Sequence, residues 1–286
     1  MKSSHPFMQL LVMVAMSLGA ILVVSVLSVP FVFAGIDVSS GTALSILESV
    51  SQVLMFALPV VLMTLIYYRG RQREYYRLDF SGRRWLTALV GVALLLLLMP
   101  LIERLTMWND SWDLGRVGEL LRSLQDQTEA AVKDMMSATT VGGLLANLLV
   151  VALIPAVCEE LFFRAGVQNL LQRWWKNPHV AIWVTALIFS LVHGEMFAIV
   201  PRFVLGALLG YLYVYGRSLL PNVLVHFTNN AIAVVIYWLI ARGVLDLDPD
   251  APIDFGLLLT VCCTIAAVAV MWVTFFKKSD SKEVEK

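Results

Sequence analysis

Two adjacent acids open the first of three short polar motifs that lie inside apolar stretches of the chain. Glu159 and Glu160 are followed by Arg164. Glu160 and Arg164 are four residues apart, so on a helix they share a face and can form an ion pair. Glu159 points about 100° away on the helical wheel and has no partner on its own helix. Such a carboxylate suits general-base chemistry, although both acids could instead belong to an ion pair at the end of a membrane span.

Histidines mark the other two motifs. Phe189 and His193 are four residues apart, so the phenyl ring can pack beside the imidazole. His226 and Asn230 have the same spacing and can donate two hydrogen bonds to a common point. Each motif alone also fits a structural role, because histidine and asparagine often form hydrogen bonds between helices in membrane bundles. Together they predict a functional cluster.

The combined residues predict hydrolysis of an amide bond by water. Glu159 with His193 could remove a proton from water, and His226 with Asn230 could stabilise the oxyanion of the attacked carbonyl. Ser190 is not clearly paired with a base, and no oxyanion loop accompanies it.

The same region offers a second candidate nucleophile and the ligands for a metal-dependent mechanism. Cys158 directly precedes Glu159, but successive helical residues diverge, so it is a poor nucleophile. Either Glu159 or Glu160, together with His193 and His226, could also bind Zn²⁺ with an open position for water. The chain lacks the His-Glu-x-x-His helix that is the strong sign of such an enzyme. Metal-dependent and metal-independent chemistry therefore both stay open.

These residues must be positioned inside a membrane. Hydrophobic residues make up 59% of the 286 residues and charged residues 15%, against about 45–50% and about 25% in soluble domains. This composition excludes a soluble enzyme and a disordered chain. The 21 basic and 21 acidic residues balance, so no nucleic-acid partner is expected. Two of the three cysteines are adjacent and predict no ordinary disulfide.

Apolar stretches long enough to cross a bilayer predict the fold class, an all-α, polytopic membrane bundle of about eight transmembrane helices. The stretches are approximately 7–34, 44–68, 85–102, 142–163, 179–197, 199–215, 221–241 and 255–276. We divide the chain into N-terminal spans with an outer amphipathic segment, a catalytic membrane core, and a last span with its tail. Their bounds are 1–141, 142–241 and 242–286.

Lysine and arginine predict the orientation of these spans. Fifteen of the 21 fall on the side of both termini and five on the other, with Arg202 inside a span. The positive-inside rule then predicts cytoplasmic termini, and we expect a multi-pass protein of a bacterial plasma membrane. Within the polar segment 108–140, one helical face carries Val117, Leu120, Leu121 and Leu124. This predicts an amphipathic helix on the outer surface, which is either a solvated connector or a gate for substrate.

The three motifs resemble those of the CPBP family of intramembrane proteases, the CAAX-protease and bacteriocin-processing group also called Abi proteins. The family pattern is Glu-Glu-x-x-x-Arg, Phe-x-x-x-His and His-x-x-x-Asn on successive membrane helices, and all three occur in that order here. The resemblance covers about residues 140–240. It implies that the catalytic residues are Glu159, His193, His226 and Asn230, supported by Glu160, Arg164 and Phe189.

The resemblance also implies a substrate class. Members that act on prenylated proteins remove the last three residues, whereas other relatives process peptides or serve in bacteriocin immunity and maturation. A peptide or lipidated-peptide substrate within the lipid bilayer is therefore expected. The family is commonly labelled metalloprotease, but a metal-independent glutamate mechanism is argued for its prenyl-protein members, so Zn²⁺ stays an open cofactor.

Two functions from other classes remain alternatives. Buried acids and histidines also form proton relays, which would suit a proton- or ion-coupled transporter. A non-catalytic bacteriocin-immunity-type membrane protein would keep the fold without turnover. The compact polar set argues against the transporter, and the intact Glu159, His193, His226 and Asn230 argue against the immunity protein.

Overall fold

The computed structural model describes residues 4–33, 41–78, 84–248 and 251–276, and throughout these ranges the regular elements are helices, with no strand. In the same ranges, seven helical runs are long and apolar enough to cross a membrane, and one apolar helix is shorter. These findings confirm the all-α membrane bundle. Position 34 and the tail 277–286, which carries four of the lysines used to predict orientation, lie outside the described residues.

Thirteen α-helices follow one another along the described residues, and short π-helical or 3₁₀ turns join or extend several of them. The α-helices are α1 (Pro6–Phe33), α2 (Gly41–Gln52), α3 (Leu58–Tyr67), α4 (Gln72–Tyr76), α5 (Arg84–Asp110), α6 (Gly115–Met136), α7 (Val141–Asn147), α8 (Ile154–Glu160), α9 (Asn169–Trp175), α10 (Pro178–Val192), α11 (Ile199–Gly216), α12 (Leu219–Ala241) and α13 (Leu257–Met271).

One continuous helical run, Val141–Trp175, carries the paired acids. Thr140 begins it by accepting a hydrogen bond from the backbone N–H of Gly143 at 3.0 Å, as an N-cap does. Two π-helical segments, Leu148–Leu153 and Leu161–Gln168, interrupt the α-helical pattern on either side of α8. The first precedes Pro155, whose ring nitrogen cannot donate to the helix, and the second directly follows the acids, where π segments often mark functional sites.

The fifth predicted stretch, 179–197, proved too long. The helix there, α10, ends at Val192 and has 15 residues, which extend about 22 Å, less than the ~30 Å hydrocarbon core. Asn177 caps its start with its side-chain oxygen, and Gly194 with φ +72° follows its end. A glycine in the left-handed region is a common helix terminator. His193 therefore lies at the end of a short helix instead of within a full span.

Close packing of α10 against α11 fixes the position of that helix end. A Cβ atom on Gly206 would lie 3.1 Å from the Cα atom of Ala186, and a Cβ on Gly210 would lie 2.8 Å from Ile182. Small residues at such contacts let membrane helices approach closely. Gly206 and Gly210 therefore allow the short distance between α10 and α11. A Cβ atom on Gly206 would also lie 3.3 Å from the Phe189 ring, so the close contact occurs at the level of Phe189.

The amphipathic helix predicted within 108–140 is present as α6. Its apolar residues Val117, Leu120 and Leu124 are exposed. On another face, the guanidinium carbon of Arg122 lies 3.8 Å from the centre of the Phe197 ring, and Arg122 also pairs with Asp110. These contacts attach α6 to the turn between α10 and α11. The helix is confirmed, whereas its place on the outer side stays a prediction.

Candidate active site

Glu160 is the centre of a fully buried hydrogen-bond network. Its Oε2 accepts from Arg164 Nε at 3.1 Å and from Asn222 Nδ2 at 3.2 Å. Its Oε1 lies 3.0 Å from His226 Nδ1. The predicted Glu160–Arg164 pair is thus present, and the partners from α12 complete it. A buried carboxylate that receives several donors is held in one orientation, so Glu160 fixes α12 against the helical run that carries the acids.

Asn222 was missed in the sequence. It donates to Glu160 and also to the backbone oxygen of Leu209 at 2.6 Å. A signal was available, because Asn222, His226 and Asn230 recur every four residues along one face of α12. Asparagine within an apolar span is costly unless it is paired. The shared four-residue spacing therefore places Asn222 in the same cluster as His226 and Asn230.

Glu159 is also buried, but its carboxylate faces two imidazoles. Its Oε2 lies 3.8 Å from His193 Nε2 and 3.8 Å from His226 Nε2. Among the described residues this oxygen has no hydrogen-bond partner. Each distance is too long for a direct hydrogen bond and suits one bridging water. The structure therefore brings together Glu159, His193 and His226, which come from three separate helical segments.

The tautomer of His193 follows from its backbone contact. His193 Nδ1 lies 2.6 Å from the carbonyl oxygen of Phe189. A carbonyl oxygen can only accept, so Nδ1 carries the hydrogen and donates it. In the neutral ring, Nε2 is then an acceptor, and Nε2 is the nitrogen that faces Glu159. The short helix α10 thus presents a basic nitrogen toward the carboxylate.

The phenyl ring of Phe189 packs against several members of the cluster at once. Its centre lies 4.8 Å from that of His193 and 5.9 Å from that of His226. The guanidinium carbon of Arg164 lies 5.4 Å from the same ring. Phe189 is almost completely buried. The ring therefore limits how far the two imidazoles can rotate, which explains why a phenylalanine suits this position.

The remaining candidates occupy distinct positions. Asn230 lies one turn beyond His226 on α12, is partly buried, and accepts a hydrogen bond from Asn229 Nδ2 at 3.2 Å. No described contact joins it to Glu159. The Ser190 hydroxyl donates to the backbone oxygen of Ile199, and Cys158 is buried beside the acids. Within the described residues neither of them is paired with a base, as the sequence predicted.

The residues do not form a ready metal site. In the part of the chain that the structure describes, no group of three or more histidine, cysteine, aspartate or glutamate side chains has the arrangement to hold a metal ion. The Nδ1 atom of His226 is directed to Glu160 and the Nδ1 atom of His193 to a carbonyl, contacts that metal-ligating histidines also make, and both Nε2 atoms face Glu159. The proposed zinc ligands Glu159, His193 and His226 are thus close together, so metal-dependent chemistry stays open.

A cavity of about 1030 Å³ is lined by residues that lie near this cluster in the chain, although no candidate catalytic side chain lines it. Its lining includes Glu195, two residues after His193, and Ala233, one turn after Asn230 on α12. The helix α6 forms one wall through Gln125 and Glu129. The volume is in the upper range of ligand pockets, and the open space lies on the side of Glu195 and Ala233.

Comparison with known protein families identifies this region. Residues 141–232 match the family model described as Rce1-like, type II CAAX prenyl endopeptidase Rce1-like. This stretch of the chain is similar to the Rce1-like family. The Rce1-like segment includes all three motifs and every candidate site residue, so the resemblance found in the sequence is confirmed. No curated protein and no solved structure matches the chain.

Proposed function

We propose that the chain is an Rce1-like intramembrane endopeptidase that hydrolyses a peptide bond with a water molecule activated by Glu159 and His193. The family supports a protease in general, and seven apolar helical runs in the described residues support a multi-pass membrane protein. Orientation with cytoplasmic termini in a bacterial plasma membrane belongs to the same proposal.

One observation supports the mechanism most strongly. The Oε2 atom of Glu159 lies 3.8 Å from the Nε2 atoms of both His193 and His226. A water between Glu159 and His193 would hydrogen-bond to two acceptors, one of which can take its proton. The low-dielectric surroundings would strengthen these interactions relative to bulk water.

The reaction would proceed in two steps. As the water oxygen forms a bond to the scissile carbonyl carbon, its proton passes to Glu159 or His193, and the carbonyl π electrons move to the oxygen. Because His226 Nδ1–H is directed to the Glu160 carboxylate, His226 would donate from Nε2 to that oxyanion as the doubly protonated imidazolium, and the Asn230 amide would donate a second hydrogen bond. The C–N bond then breaks, and the acquired proton is returned to the leaving amine. No step requires a metal.

The neighbouring cavity supports a peptide substrate. At about 1030 Å³ it has room for several residues, and its lining includes Glu195, two residues after His193, and Ala233, three residues after Asn230. We propose that an extended peptide, with or without a lipid group, lies there with its scissile bond facing the histidines. A proton relay, as in the alternative transporter function, would not need a cavity of this volume.

The test is cleavage of reporter peptides by the full chain in liposomes. Matched peptides with and without a C-terminal prenyl group should be compared, and Glu159→Gln and His226→Ala should lower cleavage by at least about a hundredfold, as expected for loss of an acid–base or oxyanion group. Glu119→Gln, which changes an exposed acid on α6, should cleave like the parent chain.

Three results would distinguish the rival functions. Undiminished cleavage by Glu159→Gln would remove this residue from the mechanism. If the parent chain cleaves no peptide but moves protons or ions across the liposome membrane, the transporter is correct. A folded chain with neither activity would favour the immunity-type protein.

A further inference from the structure

A second cavity, of about 460 Å³, lies at the other end of the bundle from the 1030 Å³ cavity. Its lining includes Arg71, Arg77 and Arg173 and a single acid, Glu74. The first residues of α12 are close to it, because the backbone N–H of Leu219 donates to the carbonyl of Arg77 at 3.2 Å. The lining is therefore rich in guanidinium groups.

Two of these guanidinium groups are held by aromatic faces. The guanidinium carbon of Arg77 lies 4.8 Å from the centre of the Tyr213 ring. That of Arg173 lies 5.1 Å from the Tyr68 ring and 5.3 Å from the Tyr75 ring. An arginine stacked in this way keeps its charge and has its N–H donors in the guanidinium plane, where they can bind a phosphate group.

The single acid does not neutralise these two arginines. Glu74 forms two hydrogen bonds with Arg71, each of 3.0 Å. These bonds lower the pKa of the Glu74 carboxyl, so it stays ionised and balances Arg71. The positive charges of Arg77 and Arg173 are then not balanced within the cavity, and a bound anion would balance them.

Tyr75 provides a buried donor at the same place. It lines the cavity, and only 5% of its surface is exposed. Its hydroxyl has no hydrogen-bond partner among the described residues. Burial raises the pKa of the Tyr75 phenol, so the hydroxyl stays neutral and can donate. Buried polar groups without a partner are uncommon and call for a ligand or water.

The surroundings of the cavity match a membrane interface. Trp174 and Trp175 directly follow Arg173 and stack on each other, and Phe7 at the start of α1 packs against Trp174. Tryptophan and tyrosine concentrate at the level of lipid headgroups. By the distribution of lysine and arginine, we expect this end to face the cytoplasm, where anionic lipids are enriched.

We propose that Arg77, Arg173 and Tyr75 form a binding site for a phosphate group, supplied by the headgroup of an anionic phospholipid. The site is separate from the candidate active site: Glu159 and Arg173 lie on the same helical run, and their separation corresponds to about 20 Å of helix. It does not depend on the proposed protease function.

The experiment titrates short-chain phosphatidylglycerol, phosphatidylcholine or inorganic phosphate into the full chain in detergent and measures binding by native mass spectrometry. The parent chain should prefer phosphatidylglycerol. Arg77→Gln with Arg173→Gln should weaken its binding by at least about tenfold, because two charge-assisted hydrogen-bonding groups are lost. Tyr75→Phe should keep the fold and weaken binding by about threefold.

Arg242→Gln is the matched control. Arg242 also stacks on an aromatic ring, that of Trp238 at 4.8 Å, but at the opposite end of α12, and its substitution should not change binding. Binding of inorganic phosphate in place of either lipid, weakened by the same substitutions, would assign the site to free phosphate. Equal phosphatidylglycerol and phosphate binding by the parent chain, the double variant and Tyr75→Phe would overturn the site.

Discussion

His226 Nδ1 lies 3.0 Å from Glu160 Oε1, so the second of two adjacent acids is engaged in a structural network while the first is not. Glu160 also receives Arg164 and Asn222. The Oε2 atom of Glu159 lies 3.8 Å from each of the two histidines and has no hydrogen-bond partner among the described residues. Glu159 and Glu160 therefore have different surroundings, which suit Glu160 to a structural role and Glu159 to a reactive one.

Glu160→Gln should destabilise the protein far more than Glu159→Gln. The substitution leaves the buried Arg164 without its counter-charge, and breaking a buried pair in this way costs about 3–5 kcal/mol. Thermal unfolding of both variants in detergent measures the difference. Equal unfolding temperatures for the two variants would contradict the division between a structural and a reactive acid.

Gly206→Leu should lower both stability and cleavage. A side chain there meets the Ala186 backbone at 3.1 Å and Phe189 at 3.3 Å, and overpacking of this kind costs about 1–3 kcal/mol. Because α10 would have to move, His193 would shift relative to Glu159. The matched control is Gly19→Leu, where nothing lies within 4 Å. Normal cleavage by Gly206→Leu would show that this helix contact does not position His193.

Removal of metal should leave cleavage unchanged. The proposed chemistry uses Glu159 and His193, and the described side chains offer no group arranged to hold a metal ion. The measurement combines exhaustive chelation, elemental analysis for zinc and the reporter-peptide assay. Loss of cleavage on chelation with full recovery on addition of Zn²⁺ would favour the zinc mechanism and require the three candidate ligands to rearrange.

Local spacing predicted part of the site. The pair Glu160–Arg164 and the contact of Phe189 with His193 both join residues four apart on one helix, and both are present. The contact of Glu160 with His226 joins different helices. Spacing along one chain segment cannot specify such a contact, because it depends on how the helices pack.

Hydropathy predicted where apolar helices lie, but it did not predict where every helix ends. The predicted span continued through His193, Gly194 and Glu195 to the apolar Met196 and Phe197, whereas α10 ends at Val192 and Gly194 adopts a left-handed conformation. A glycine in that conformation ends a helix, and hydropathy averaged over a long stretch does not register it. The same helix end carries His193, so the error in the span and the position of the site have one cause.

The charges around Glu160 also have a consequence for the cost of keeping the cluster in lipid. Glu159, Glu160 and Arg164 together carry one excess negative charge when all are ionised, and one added proton on Glu159, His193 or His226 makes the group electroneutral. An electroneutral cluster avoids the large solvation cost of an isolated ion in hydrocarbon. In the resting protein, a balancing proton held by His226 would leave both Glu159 and His193 able to take the proton of the attacking water.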